Sequence, residues 1–276
     1  MSDDDVSAHY TSGGLLAAIR DGVARLGKTP ATVTVDDLGL VDEFHVGGRQ
    51  ASEHFLGQLG LTQGQHVLDV GCGLGGSARF ATTRYGCHVT GLDLTEEFVT
   101  TGQVLCDWVE LADRVALRHG SALAMPFDAE AFDGAYMLHV GMNIADKDRL
   151  WTEVHRVLRP GAGFGIYDLM RTGEGDLAFP VPWASTPETS AVQAPEDYRR
   201  ALAAAGFTVM AERNRGDFAR EFFAKLKARM VESAGPAPLG LHILMGETAP
   251  QKVANMVGNI GSGTIAPVEI VARKAA

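Results

Sequence analysis

The stretch Val67-Leu68-Asp69-Val70-Gly71-Cys72-Gly73-Leu74-Gly75-Gly76 decides the fold. An apolar, β-branched run ends in a turn dense in glycine, and a helical pattern follows over Ser77–Tyr85. Glycine lacks a Cβ, so the turn can adopt positive φ and its backbone can approach a ligand closely. The helix behind the turn presents unpaired N–H groups at its start. A strand, a glycine turn and a helix in this order suit a nucleotide-like ligand at the carboxyl end of a sheet.

Working outward, short apolar runs alternate with helical patterns. Strands are expected over His66–Val70, His88–Leu92, Val115–His119, Phe132–Leu138, Phe164–Leu169, Phe207–Glu212 and Ile265–Ala272. Helices are expected over Glu96–Leu111, Lys147–Leu158 and up to Gly206. Such alternation predicts an α/β fold with a mainly parallel sheet covered on both faces.

Before the core, Leu15, Leu16, Ile19, Val23 and Leu26 share one helical face, and a second helix is expected from about Arg49 to Leu59. One domain over residues 1–276 is expected. Its parts are a helical cover over 1–60, a core over 61–171, a Pro-rich lid loop over 172–195 and a helical insertion over 217–263. In the insertion, Phe218, Phe222, Leu226 and Met230 recur at helical spacing and read as core packing.

The chain has 276 residues with a formal net charge of −10, and no stretch concentrates Lys and Arg as a nucleic-acid track would. No apolar run is long enough for a bilayer span, so no membrane partner is expected. The acidic start, Met1-Ser2-Asp3-Asp4-Asp5, does not read as a secretory signal. Cys72, Cys87 and Cys106 show no metal or disulfide spacing. A cytoplasmic protein without a metal is the expectation.

Gly71-x-Gly73-x-x-Gly76 with Asp93 also fits a dinucleotide fingerprint, so the glycines alone leave an oxidoreductase open. Asp69 breaks the tie, because a carboxylate before the first glycine repels a pyrophosphate but suits an amino group and a sulfonium. The run Arg156-Val157-Leu158-Arg159-Pro160-Gly161-Ala162-Gly163 is the second discriminating feature.

Together these residues resemble the class I methyltransferases that use S-adenosylmethionine (SAM). Leu68-Asp69-Val70-Gly71-Cys72-Gly73 looks like the family's first motif, and Gly91-Leu92-Asp93 like its second strand. Gly120-Ser121-Ala122 before Met125-Pro126-Phe127 looks like its adenine loop. Phe132-Asp133-Gly134-Ala135 and Leu158-Arg159-Pro160-Gly161 look like its fourth strand and the turn before its fifth.

The resemblance implies a Rossmann-like sheet of seven strands with the last antiparallel, and SAM as cofactor. It implies Asp93 on the ribose hydroxyls, Gly71 and Gly73 on the methionyl part and Leu94 against adenine. Asp69 would orient the turn or the methionyl ammonium, and Met137 joins the same group. Ser121 stands where the family often has an acid, so the Ala122 backbone is the safer adenine contact.

On the acceptor side, His139-Val140-Gly141-Met142-Asn143-Ile144 follows the fourth strand at the sheet's carboxyl edge. His139 and Asp168 are the candidates for catalysis, and His139, Asn143 and Trp183 for acceptor binding. Tyr10 and His45 belong to the helical cover.

At a finer level the chain resembles bacterial proteins similar to sarcosine/dimethylglycine methyltransferases. Val41-Asp42-Glu43-Phe44-His45-Val46-Gly47-Gly48, Phe179-Pro180-Val181-Pro182-Trp183 and Pro238-Leu239-Gly240-Leu241-His242 carry this likeness. It implies a small-molecule acceptor, with the reading leaning to N-methylation of a small amine such as sarcosine or dimethylglycine, and a homodimer. The alternatives are O- or C-methylation of a larger natural-product metabolite, or a SAM-binding protein without catalysis.

Overall fold

A computed structural model describes residues 3–11, 13–232 and 237–276. Before the sheet come α1 (Asp3–Tyr10), α2 (Leu15–Arg25), α3 (Val35–Asp42) and α4 (Gly48–Leu56). The core follows as β1 (His66–Val70), α5 (Gly76–Tyr85), β2 (His88–Asp93), α6 (Glu96–Trp108), β3 (Val115–His119), β4 (Phe132–Leu138), α7 (Lys147–Val157) and β5 (Leu158–Arg171). The chain closes with α8 (Pro195–Ala204), β6 (Phe207–Asn214), α9 (Gly216–Glu232), α10 (His242–Met245), α11 (Ala249–Gly261) and β7 (Ile265–Lys274).

The strands form one sheet in the order β3-β2-β1-β4-β5-β7-β6. Strands β1 to β5 pair in parallel, and β7 runs antiparallel to both β5 and β6. From β1 the chain builds outward to β2 and β3, then returns to place β4 on the other side. That reversal leaves a crevice at the carboxyl ends of β1 and β4, where open α/β sheets bind ligands. The fold is the expected Rossmann-like methyltransferase sheet.

Both faces are covered. Trp151, Phe164, Tyr198 and Phe207 pack one face with α7 and α8. Phe55, Phe80, Tyr136 and Tyr167 pack the other with α4 and α5. Ile166 and Tyr167, adjacent in β5, serve opposite faces as the two-residue period of a strand requires.

The expected face of α2 buries Leu15, Ile19 and Val23 against Leu38, Val41, Leu74 and Phe98. Each such side chain contributes about 1.5–3 kcal/mol, so Ile19→Asp would detach α2 from the core. Helix α3 was not expected. Its start is fixed by a capping box in which Thr34 accepts from the Asp37 N–H and Asp37 accepts from the Thr34 N–H. Strand β5 begins six residues earlier than expected, at Leu158 rather than Phe164. Lys274 at the end of β7 holds that early part by donating to Leu158 O at 2.7 Å.

Phe218 packs against the core and Phe222 against the cluster under α11, while Leu226 is exposed. The side chain of Met230 lies outside the described residues. Among the described residues no helix is long and apolar enough to cross a membrane.

Candidate active site

The turn after β1 is stapled to the end of β2. Gly71 N and Cys72 N both donate to Leu92 O, at 2.7 and 3.1 Å. Gly71 has φ +71°, and a Cβ there would lie 2.3 Å from Val140. Gly73 has φ +53°, yet a Cβ there would meet nothing within 4 Å. The first glycine is required by close packing. The second borders open space, where a side chain would occupy a ligand's place.

Asp93 ties the turn together. Its Oδ2 accepts from Gly73 N at 2.8 Å and its Oδ1 from Thr95 N at 2.9 Å. A carboxylate has about four lone-pair sites, so each oxygen can accept once more from the cavity. Asp69, at the end of β1, is buried against Tyr136, whose hydroxyl is a donor to its carboxylate. Burial pushes the Asp69 carboxyl well above its usual range, and the Tyr136 hydroxyl opposes that rise.

These groups border a cavity of about 230 Å³ at the β1/β4 crevice. Asp69, Gly71, Gly73, Asp93, Leu94, Ser121 and Ala122 all line it. Ser121 Oγ accepts from Leu123 N at 3.2 Å and so shapes its own loop. No Lys or Arg stands among the described lining residues, whereas Asp69, Asp93 and Asp146 do, together with Asp42, which is paired with the buried Arg79. A pyrophosphate would face this acidic wall without a cationic partner. A ligand with an ammonium, a sulfonium and ribose hydroxyls fits the same wall, so the residues present fit SAM.

His139 and Asn143 line the other part of the cavity. His139 holds an unusual φ of +54°, fixed by its backbone N–H donating to Tyr167 O at 2.7 Å. Its Nε2 is buried without a partner, and burial pushes its pKa well below the ordinary value. Asn143 accepts from Tyr10 Oη at 3.2 Å and donates to Val140 O at 3.2 Å. It therefore latches α1 over the cavity, and Tyr10, Val6 and Asp3 become part of the wall.

Three expected site residues lie elsewhere. Met137 is fully buried in the core and does not line the cavity. Asp168 is fully buried behind Gly141, where its Oδ2 accepts from Tyr198 Oη at 2.6 Å and its Oδ1 from Leu169 N at 3.0 Å. Burial pushes its pKa up to about 6, opposed by Tyr198 and Lys147. It supports the loop that carries Asn143 and does not line this cavity.

Trp183 is buried in an apolar cluster with Val181, Met142 and Leu169, and its Nε1 donates to Ser190 Oγ at 3.0 Å. The segment 172–195 contributes no lining residue, and Pro182 O meets His9 Nε2 at 3.0 Å beneath the N-terminal cover. It meets the N-terminal cover through that contact.

Sequence reasoning missed Asp42, Phe44, Phe98 and Leu244 as lining residues and left His45 in the cover. The only local signal was the run Asp42-Glu43-Phe44-His45 between two helices.

Residues 68–166 match the family model described as "Methyltransferase domain". Fold and match together give the class that this part of the chain is similar to, a Rossmann-like methyltransferase domain. At the next level, the sterol 24-C-methyltransferase ERG6B of Gibberella zeae is 36% identical over 121 residues, covering 44% of this chain and 32% of that protein. The chain thus spans about a third of the length of that relative.

Among solved structures, the cyclase SpnF superposes with a TM-score of 0.71 at 20% identity, covering 100% of this chain and 98% of that one. A Galdieria sulphuraria protein assigned as a sarcosine dimethylglycine methyltransferase gives 0.68 at 18% identity, covering 94% and 98%. At such identities these likenesses establish the fold alone.

Proposed function

We propose that the protein is a SAM-dependent methyltransferase whose acceptor is an uncharged small molecule, methylated at carbon or oxygen. The observation that carries this reading is the chemistry of the cavity wall. Neither Lys nor Arg lines it among the described residues, and the two imidazoles on the acceptor side are both held neutral by burial.

SAM supplies a methyl group already activated on a sulfonium. The chain's own residues have three tasks. Asp93 and the Gly71–Gly73 backbone bind and orient the cofactor, with Asp69 placed to accept from its ammonium. Tyr10, Phe44, Phe98 and Leu244 exclude water, so that positioning and desolvation supply much of the rate. His139 and His45 present neutral rings to the acceptor and can hold a proton that it loses.

The lean to sarcosine or dimethylglycine rested on a resemblance and on Asp168 beside a cationic amine, and Asp168 does not line the cavity. The likeness to a sterol 24-C-methyltransferase favours carbon over nitrogen. The cyclase among the structural neighbours shows that this fold hosts other reactions, so turnover itself must be measured.

A labelled-methyl assay across phenols, enols, isoprenoid alkenes and amino-acid amines tests the reading. Transfer to a phenol, enol or alkene is expected. Transfer confined to sarcosine or dimethylglycine would overturn the acceptor class. SAM binding with no transfer to any acceptor would favour a binding-only protein.

A further inference from the structure

His45 sits in the short link between α3 and α4, and its ring lines the cavity. Its Nε2 lies 3.1 Å from Gly48 O. A carbonyl only accepts, so Nε2 must carry the hydrogen. The same nitrogen lies 3.0 Å from Ser52 Oγ, and Ser52 in turn donates to the Glu43 carboxylate in a short hydrogen bond. Glu43 is held as an acceptor by Arg49, whose Nε lies 3.1 Å from Oε1. Ser52 gives its own hydrogen to Glu43, so its oxygen can only accept from His45, and the single Nε2 hydrogen is shared between Gly48 O and Ser52 Oγ. What remains on His45 is the Nδ1 lone pair, which makes no hydrogen bond.

His139 stands across from it, ring centroids 6.0 Å apart, but has no carboxylate behind it. Its neighbour on β5 is Tyr167, whose hydroxyl is engaged with Val46 O at 2.9 Å. An imidazolium formed at His139 would face only neutral groups. One formed at His45 would have the Glu43 carboxylate 3.4 Å from Nε2 with Ser52 bridging the two, while the Arg49 charge opposes it. Burial pushes the His45 pKa down to about 4, so the ring is neutral and able to accept when the acceptor arrives.

We propose that His45 Nδ1 takes the acceptor's proton, that Ser52 and Glu43 are positioning residues behind it, and that the acceptor is a molecule presenting an enol or phenol hydroxyl. This rests on the methyltransferase reading above and names its substrate class. In the step, the acceptor's O–H bond breaks, the hydrogen forms an N–H bond at Nδ1, the freed electron pair forms the new bond to methyl, and the methyl–sulfur bond breaks with its pair left on the sulfur as a neutral thioether. The positive charge of the sulfonium reappears on the imidazolium, so charge balances.

The test has a readout that needs no turnover. Nitrogen-15 NMR of the histidine rings is recorded on the full chain saturated with S-adenosylhomocysteine, with phenol as the hydroxyl probe. The expected result is a His45 ring protonated at Nε2, whose Nδ1 resonance moves when phenol is added. Ser52→Ala should lower the His45 pKa while SAM affinity stays unchanged. His45 protonated at Nδ1, or a phenol response at His139 with none at His45, would overturn the proposal.

With any phenol or enol found to be methylated, His45→Ala should lower kcat about 100-fold or more, and Ser52→Ala by less, with a shifted pH profile. Equal kcat in wild type and His45→Ala would also overturn it. If no acceptor is methylated while the NMR results hold, the relay stands and the transfer reading is what fails.

Discussion

The two halves of the cavity are built by different means. The cofactor half is made by one continuous strand–turn–helix and the ends of two neighbouring strands. Its key contacts are backbone groups and one carboxylate, Asp93. The acceptor half is assembled from α1, the α3–α4 link, the loop after β4 and Leu244 of α10. Its key contacts are side chains whose directions depend on tertiary packing. A half made by local backbone geometry tolerates few residue types, whereas a half made by distant side chains can be re-cut for another acceptor without disturbing the fold.

The largest effect should come from the backbone half. Gly73→Val places a β-branched residue at φ +53° and fills the space bordering the turn. SAM binding should be lost in calorimetry while circular dichroism keeps its helical signal. Normal SAM affinity in this variant would break the comparison, because the turn would then be no cradle.

Asp93→Ala should weaken SAM binding by about 1.5–3 kcal/mol. It should also lower the melting temperature, because Gly73 N and Thr95 N lose their acceptor. Asp93→Asn keeps an acceptor oxygen and should fall between the two. Unchanged affinity in Asp93→Ala would leave that carboxylate with a purely structural task.

The side-chain half should show itself through pH. The folded pKa of His45 is lowered to about 4 from an ordinary 6.5, with burial the largest cause. A depressed imidazole pKa contributes stability that is fully present above pH 6.5 and is lost as pH falls toward 4. Acidifying from pH 6.5 to 5 should therefore cost about 2 kcal/mol from this residue. His45→Gln should flatten that slope in denaturant titrations. An identical slope in the variant would mean that His45 is not the neutral buried group described.

What could be read from sequence follows the same division. The strand β1, the glycine turn and Asp93 were legible because local spacing dictates them. The capping box at Thr34 and Asp37 was legible in principle, yet α3 was missed because a short helix after a Pro-Ala-Thr link carries little apolar periodicity. Trp183 and Asp168 were placed at the site from their positions along the chain. Packing turned Trp183 toward Ser190 and Asp168 toward Tyr198 instead. The Glu43, Ser52 and His45 relay was invisible because nothing in one-dimensional spacing fixes which side chains of a link and a helix meet.

The smallest effect should come from Trp183→Phe. Removing the Nε1 hydrogen bond to Ser190 should cost about 1 kcal/mol of stability. SAM affinity and acceptor KM should not change, since Trp183 does not line the cavity. A raised acceptor KM would return Trp183 to the acceptor half.

The central claim is that the acidic, glycine-bounded half of the cavity takes SAM and not a dinucleotide. Calorimetric titration of the wild-type chain with S-adenosylhomocysteine and, separately, with NAD tests it most directly. One-site, saturable binding of S-adenosylhomocysteine with no heat from NAD is the predicted result. Binding of NAD with none of S-adenosylhomocysteine would contradict it, and Gly71-x-Gly73-x-x-Gly76 would then be a pyrophosphate cradle after all.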